Sequence, residues 1–183
     1  MSEDNVVDLS SAQACALTYG RLAQAFVYPE KGQEAVLSAV DYTEAFDPAA
    51  SALACSLREY AYRKDIHPTS LNEELLRFYH FFGLTRSGEA VMPDHISIEF
   101  EFMQFLNQLE ASADSRGEDV TPLKKAQRDF LHRHACVLAR GIQKAMRVQK
   151  PPCLALVDMT VEVSAADLER LESEVGLAGD AAA

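Results

Sequence analysis

The sequence predicts an all-α fold: a single-domain helical bundle, spanning residues 1–183, around a buried central helix. Three observations predict it. Apolar residues recur at intervals of three and four along nearly every segment. Serine, threonine, aspartate and proline stand where helices should begin, and glycine where they should end. One segment, from Pro93-Asp94 to about Ala111, is apolar on two faces. Ile98, Phe102, Phe105 and Leu109 fall on one, and Ile96, Phe100 and Met103 on the other, as in an enclosed helix.

The elements follow in chain order. Ser10 or Ser11 caps a first helix with Cys15, Tyr19, Leu22 and Phe26 inward, which Pro29 helps to end. A short second helix is expected from about Gln33 to Val40. Asp47-Pro48, an acceptor followed by proline, opens a third through Leu53, Leu57 and Tyr60 to about Lys64. Ser70-Leu71-Asn72-Glu73 reads as a capping box for a helix with Leu75, Phe78, Tyr79 and Phe82 inward, closed at Gly83. After a polar link comes the central helix, then a charged loop over 112–120. Thr121-Pro122 begins a long helix to about Met146, with Leu123, Phe130, His134, Leu138 and Ala145 inward. Pro151-Pro152 breaks it. Leu154 to Val163 is read as helix, although its valines would also suit a strand. Ser164-Ala165-Ala166-Asp167 caps a last helix that Gly176 ends, with a fraying tail from Ala178.

Composition narrows the function classes. Apolar residues are 48% and charged residues 25% of the chain, the balance of a folded domain. No apolar run approaches the roughly 18–20 residues of a membrane span. The start, Met1-Ser2-Glu3-Asp4-Asn5, is acidic where a secretory signal is basic, so a cytoplasmic protein is expected. The formal net charge of −11 comes from 28 acidic against 17 basic side chains. Such a surface repels nucleic acid and anionic lipid and suits a cationic peptide, or serves solubility alone. Cys15, Cys55, Cys136 and Cys153 form no Cys-x-x-Cys pair and read as buried thiols of a reducing compartment.

The segment Met92 to Met103 is the most unusual. Asp94, His95 and Glu99 stand in the first turns of the most apolar helix, with His95 and Glu99 four apart on one face. The residue types leave four readings open. These are a metal site with help from His132 or His134, an acid–base pair, a helix cap with a core histidine, or an acidic and apolar groove for a peptide. His132, His134 and Cys136 cannot converge on one ion, because helical residues two apart point about 200° apart. Phosphate-binding and hydrolase signatures are absent. A hydrolase using His95, Glu99 and His134 and a purely structural adaptor remain as alternatives.

Pro93-Asp94-His95-Ile96, then Glu99-Phe100-Glu101-Phe102-Met103 and Leu106, resembles the signature of the TorD/DmsD/NarJ-type molybdoenzyme chaperones. Tyr19-Gly20-Arg21-Leu22-Ala23 through Phe26, Tyr28 and Pro29 is similar to that family's first helix. Phe78 to Leu84 resembles its aromatic segment, and Phe130-Leu131 with His134 the start of its late helix. Val91-Met92 stands where many members have glutamate and proline, tryptophan is absent, and the link from Phe82 to Pro93 is short. These departures resemble the branch serving type II dimethyl-sulfoxide-reductase-family enzymes, such as selenate or chlorate reductase.

The resemblance implies a non-enzymatic, cofactor-free cytoplasmic chaperone, either a monomer or a domain-swapped dimer. Its partner would be the apo catalytic subunit of a molybdenum enzyme, gripped at a twin-arginine leader. It would assist molybdenum-cofactor insertion and hold back export. On that expectation Asp94, Glu99 and Glu101 supply carboxylates to arginine, and His95 orients a carboxylate or donates to the peptide. Phe100, Met103, Tyr79 and Phe82 line an apolar groove.

Overall fold

The computed structural model describes residues 8–30, 35–85 and 91–177. All its regular elements are helical: α1 (Ala12–Ala25), α2 (Ala39–Phe46), a 3-10 turn (Glu59–Ala61), α3 (Pro68–Phe81), α4 (Ile96–Ser115), α5 (Thr121–Phe130), a π turn (Leu131–Ala135), α6 (Cys136–Ala145) and α7 (Pro151–Val175). The expected tail from Ala178 lies outside the described residues. No helix among them is long and apolar enough to cross a membrane.

The predicted spine is the centre of the packing. Ile96, Phe100, Met103 and Leu106 of α4 are fully buried. Helix α1 lies along it, with Tyr19 and Phe26 against the Phe100 ring at 5.8 and 6.3 Å between centroids. A Cβ at Gly20 would stand 2.7 Å from Gln104 Nε2 and would have to push that side-chain amide aside. On another side Phe102 meets Phe130 edge-on at 4.7 Å. α7 is joined to α1 where Tyr19 Oη donates to Asp167 at 2.8 Å. All four cysteines are buried free thiols, as expected.

Six boundaries differ from expectation, each for its own reason. Helix α4, expected from Pro93-Asp94 to about Ala111 with a loop over 112–120, runs instead from Ile96 to Ser115, with the positive-φ Gly117 just beyond it. The second helix starts at Ala39, because Ser38 Oγ accepts from Asp41 N–H at 3.1 Å and caps it; Gln33 lies outside the described residues. Asp47-Pro48 makes one turn and no helix. Asp47 spends its acceptors on Ala49, Ala50 and Ser51, and Leu53 and Tyr60 point to solvent. Beyond that turn the buried residues are Cys55, Leu57 and Glu59, the alternation of an extended chain. Helix α3 begins at Pro68 behind a His67 cap, so Ser70 is already inside it. The path from Thr121 to Ala145 contains the π turn. Finally, Leu154 to Val163 is helical as predicted but runs unbroken into the last helix. Ser164 is no cap there: its hydroxyl donates to Thr160 O at 2.8 Å. Pro151 and Pro152 occupy the first positions of α7, where proline's missing N–H costs nothing.

Candidate functional site

The Pro93-Asp94-His95 segment meets the loop before the 3-10 turn. His95 rather than Asp94 caps α4. Its Nδ1 accepts from Ser97 N–H at 3.3 Å and lies 2.8 Å from Ser97 Oγ. Burial drives the imidazole pKa down to about 4, against the pull of Asp94. It is therefore neutral, with the lone pair a cap requires. Asp94 is fully buried and clamps the loop instead. Arg58 Nε donates to its Oδ1 at 2.9 Å and Nη2 stands 2.7 Å away. Glu59 N–H donates to Asp94 O at 2.8 Å, and Ile96 N–H to Leu57 O at 3.0 Å.

One helical turn further, Glu99 is fully buried. Neither of its oxygens accepts a hydrogen bond among the described residues. Its carboxyl faces that of Glu59, within hydrogen-bonding reach. Glu59, equally buried, takes Arg63 Nη1 at 2.5 Å on Oε1 and His134 Nδ1 at 3.0 Å on Oε2. His134 Nε2 lies 3.4 Å from Glu74 Oε1 without forming a hydrogen bond. Burial first, then Glu59 and Asp94, hold the Glu99 carboxyl well above the ordinary carboxylate range. His95 and Glu99 thus turn to different partners. Among the described residues no three His, Cys, Asp or Glu side chains are placed to hold a metal ion.

An apolar cleft lies on a different face of α4 from that expected to form a groove. Phe100 and Met103 are sealed in the core, with no exposed surface, and line no groove. A cleft of about 350 Å³ opens between α3 and α4, walled by Leu76, Tyr79, Leu84, Pro93, Ile98, Phe102 and Phe105, with Thr85, Val91 and Glu101 completing it. Tyr79 Oη donates to Pro93 O at 2.9 Å, pinning the wall. Phe82 supports it edge-on against Phe102 at 5.8 Å. Glu101 is exposed, and partial burial raises its carboxyl pKa. Behind Tyr79 stand Glu99, Glu59 and Asp94, and burial first, then this acidic surrounding, pushes its phenol pKa up. Of the carboxylates expected to meet a peptide, Glu101 alone faces the cleft. Asp94 and Glu99 are inside the wall.

Sequence reasoning missed Arg58 and Glu59. They contact residues 36 and 75 positions away, and a buried glutamate has no local signature. Leu84, Ile98 and Phe105 were legible as apolar positions but not as a cleft.

The sequence matches the nitrate reductase delta subunit family over residues 10–137. That span includes the loop, the cleft and His134. The chain is 33% identical over 141 residues to the selenate reductase assembly chaperone protein of Thauera selenatis, covering 69% of this chain and 73% of that protein. It is 31% identical over 143 residues to the chlorate reductase assembly chaperone protein of Ideonella dechloratans, with coverages of 69% and 73%. It is 37% identical over 91 residues to the dimethyl sulfide dehydrogenase assembly chaperone protein of Rhodovulum sulfidophilum, covering 48% of this chain and 36% of that one.

Proposed function

The chain belongs to the nitrate reductase delta subunit family, the TorD/DmsD/NarJ type, and on that premise we propose that it is a non-enzymatic assembly chaperone for a molybdenum enzyme of the type II dimethyl-sulfoxide-reductase family. It acts in the cytoplasm on the apo catalytic subunit, holds it competent for cofactor insertion, and delays export. The α3–α4 cleft grips the client, most directly at its twin-arginine leader.

One observation carries this reading: the cleft is apolar, and Glu101 is the single charged residue among its described lining. An apolar peptide segment entering it removes its own surface and that of Leu84, Ile98 and Phe105 from water, at about 25 cal/mol per Å². A neighbouring arginine reaches Glu101 at the exposed lip, where a charge pair sets orientation more than affinity. The mode is a helix laid into a groove.

The test is calorimetric titration of the full chain with a synthetic leader of a type II molybdoenzyme from the same host. Ile98→Asp and Leu84→Asp place a charge in the apolar wall at partly buried positions. We expect each to weaken binding at least about tenfold, a loss of 1.4 kcal/mol or more, with the helical circular-dichroism signal retained. Unchanged affinity in both variants overturns the cleft as the site. Equal binding of a client lacking its leader moves recognition to the mature subunit.

A further inference from the structure

The facing Glu59 and Glu99 carboxyls pose a chemical problem that the donor inventory resolves. Two ionised carboxylates are acceptors only and cannot hydrogen-bond each other. Glu59 already accepts on both oxygens, from Arg63 and from His134. Glu99 accepts nothing among the described residues. A single proton on Glu99, donated to Glu59, gives the pair one hydrogen bond and removes one of the two facing charges. We propose that Glu99 is a neutral carboxylic acid in the native protein and that its proton is a pH-sensitive latch joining the 58–63 loop to the wall of the cleft.

The groups around the pair define what the proton does. Arg63 follows the 3-10 turn, His134 comes from the π turn, Tyr79 from α3, and Asp94 precedes α4. Glu74 faces the far nitrogen of His134, and Cys136 lies close enough to feel the Glu99 charge. Arg58 is committed to Asp94, and Arg63 is shared among Glu59, Asp65 and the Arg133 carbonyl. Among the described residues neither arginine is therefore left over to neutralise a second charge at the pair, and His134 is already engaged by Glu59. Deprotonation sets two carboxylates against each other in a dry interior. The loop that carries Glu59 then separates from α4, and its backbone bond to Asp94 and the adjoining Pro93 contact of Tyr79 loosen. The sign follows from the raised Glu99 carboxyl. The latch is complete below the ordinary carboxylate range and is lost as pH rises through the folded-state value.

The consequence for the cleft rests on the peptide-binding reading above, but the latch is tested without any ligand. Infrared spectra of the full chain, labelled with carbon-13 glutamate, are recorded from acidic to alkaline pH alongside thermal melting. We expect a protonated-carboxyl carbonyl band at neutral pH that disappears in alkali together with a fall in melting temperature. Glu99→Gln keeps an N–H donor toward Glu59. It should remove the band and flatten the alkaline fall, while Glu101→Gln should leave both in place. Absence of the band at neutral pH overturns the latch, as does a Glu99→Gln protein with the wild-type alkaline fall. Should Glu99→Gln fail to fold, the band in wild type and in Glu101→Gln decides alone. A latch that appears while the leader peptide fails to bind retires the peptide reading and leaves the latch intact.

Discussion

Two fully buried carboxylates, one on α7 and one on α4, are treated in opposite ways. Asp167 accepts the Tyr19 hydroxyl at 2.8 Å, with Arg170 Nε and Nη2 at 2.9 and 2.7 Å. Glu99 meets no donor and looks at another carboxylate. The first is a finished network, in which an anion is repaid by a cation and a hydroxyl, and it ties α1 to α7. The second is balanced only while one proton stays in place. A completed network favours one arrangement, whereas an incompletely satisfied one has a second arrangement within reach. The region built to change is thus the wall of the cleft, not the α1–α7 side.

The same isosteric change at both sites gives the sharpest contrast. Asp167→Asn gives up the charge-assisted hydrogen bonds from Arg170, which keeps Glu174, and should destabilise by about 2 kcal/mol. Glu99→Gln at neutral pH should change stability by no more than about 0.5 kcal/mol, since it keeps the donated hydrogen bond. Urea denaturation of the two variants checks both. Comparable losses at the two sites would erase the distinction.

A second asymmetry is expected within the Arg58–Asp94 clamp. Arg58→Ala leaves Asp94, with no exposure of its own, without a cation and with only the Tyr60 N–H at 3.4 Å, at a cost of about 3 kcal/mol. Asp94→Ala releases a guanidinium that is 30% exposed and can return to water, costing about 1–2 kcal/mol. Thermal melting that ranks them in reverse order would show that Asp94 supports something other than the loop. The smallest effect belongs to the cleft lip. Glu101→Gln should weaken a basic peptide by about 0.2–1 kcal/mol and reduce the salt dependence of binding. Titration at two salt concentrations reads this, with melting unchanged.

The spine helix and the first and third helices were legible because their periodicity and their neighbours agree. Phe100, Met103, Tyr19 and Leu75 are buried where a helical wheel puts them. The stretch after Asp47-Pro48 was misread because a strong start signal says nothing about propagation. There, tertiary pairing of Leu57 and Glu59 with Ile96 and Asp94 holds an extended chain against local preference. The candidate site was half legible. Asp94, His95 and Glu99 stood out by residue type, but their roles depend on Arg58, Ser97 and Glu59. Only His95 has its partner within two positions, and the other two contacts are made by chain folding. Phe100 and Phe102 illustrate the same limit, since helical spacing separates their faces without telling which one a cleft will occupy.

The π turn at Leu131–Ala135 has a consequence for how chain length is written into this protein. A π turn takes one more residue than an α turn to close, so α6 follows α5 with its phase shifted. Each residue turns a helix by about 100°. Gaps carry different meanings along the chain. A one-residue gap in the exposed stretch from Arg116 to Asp119 is a change of loop length. The same gap between Leu131 and Ala135 would be a rotation of everything in α6, with His134 at the pivot.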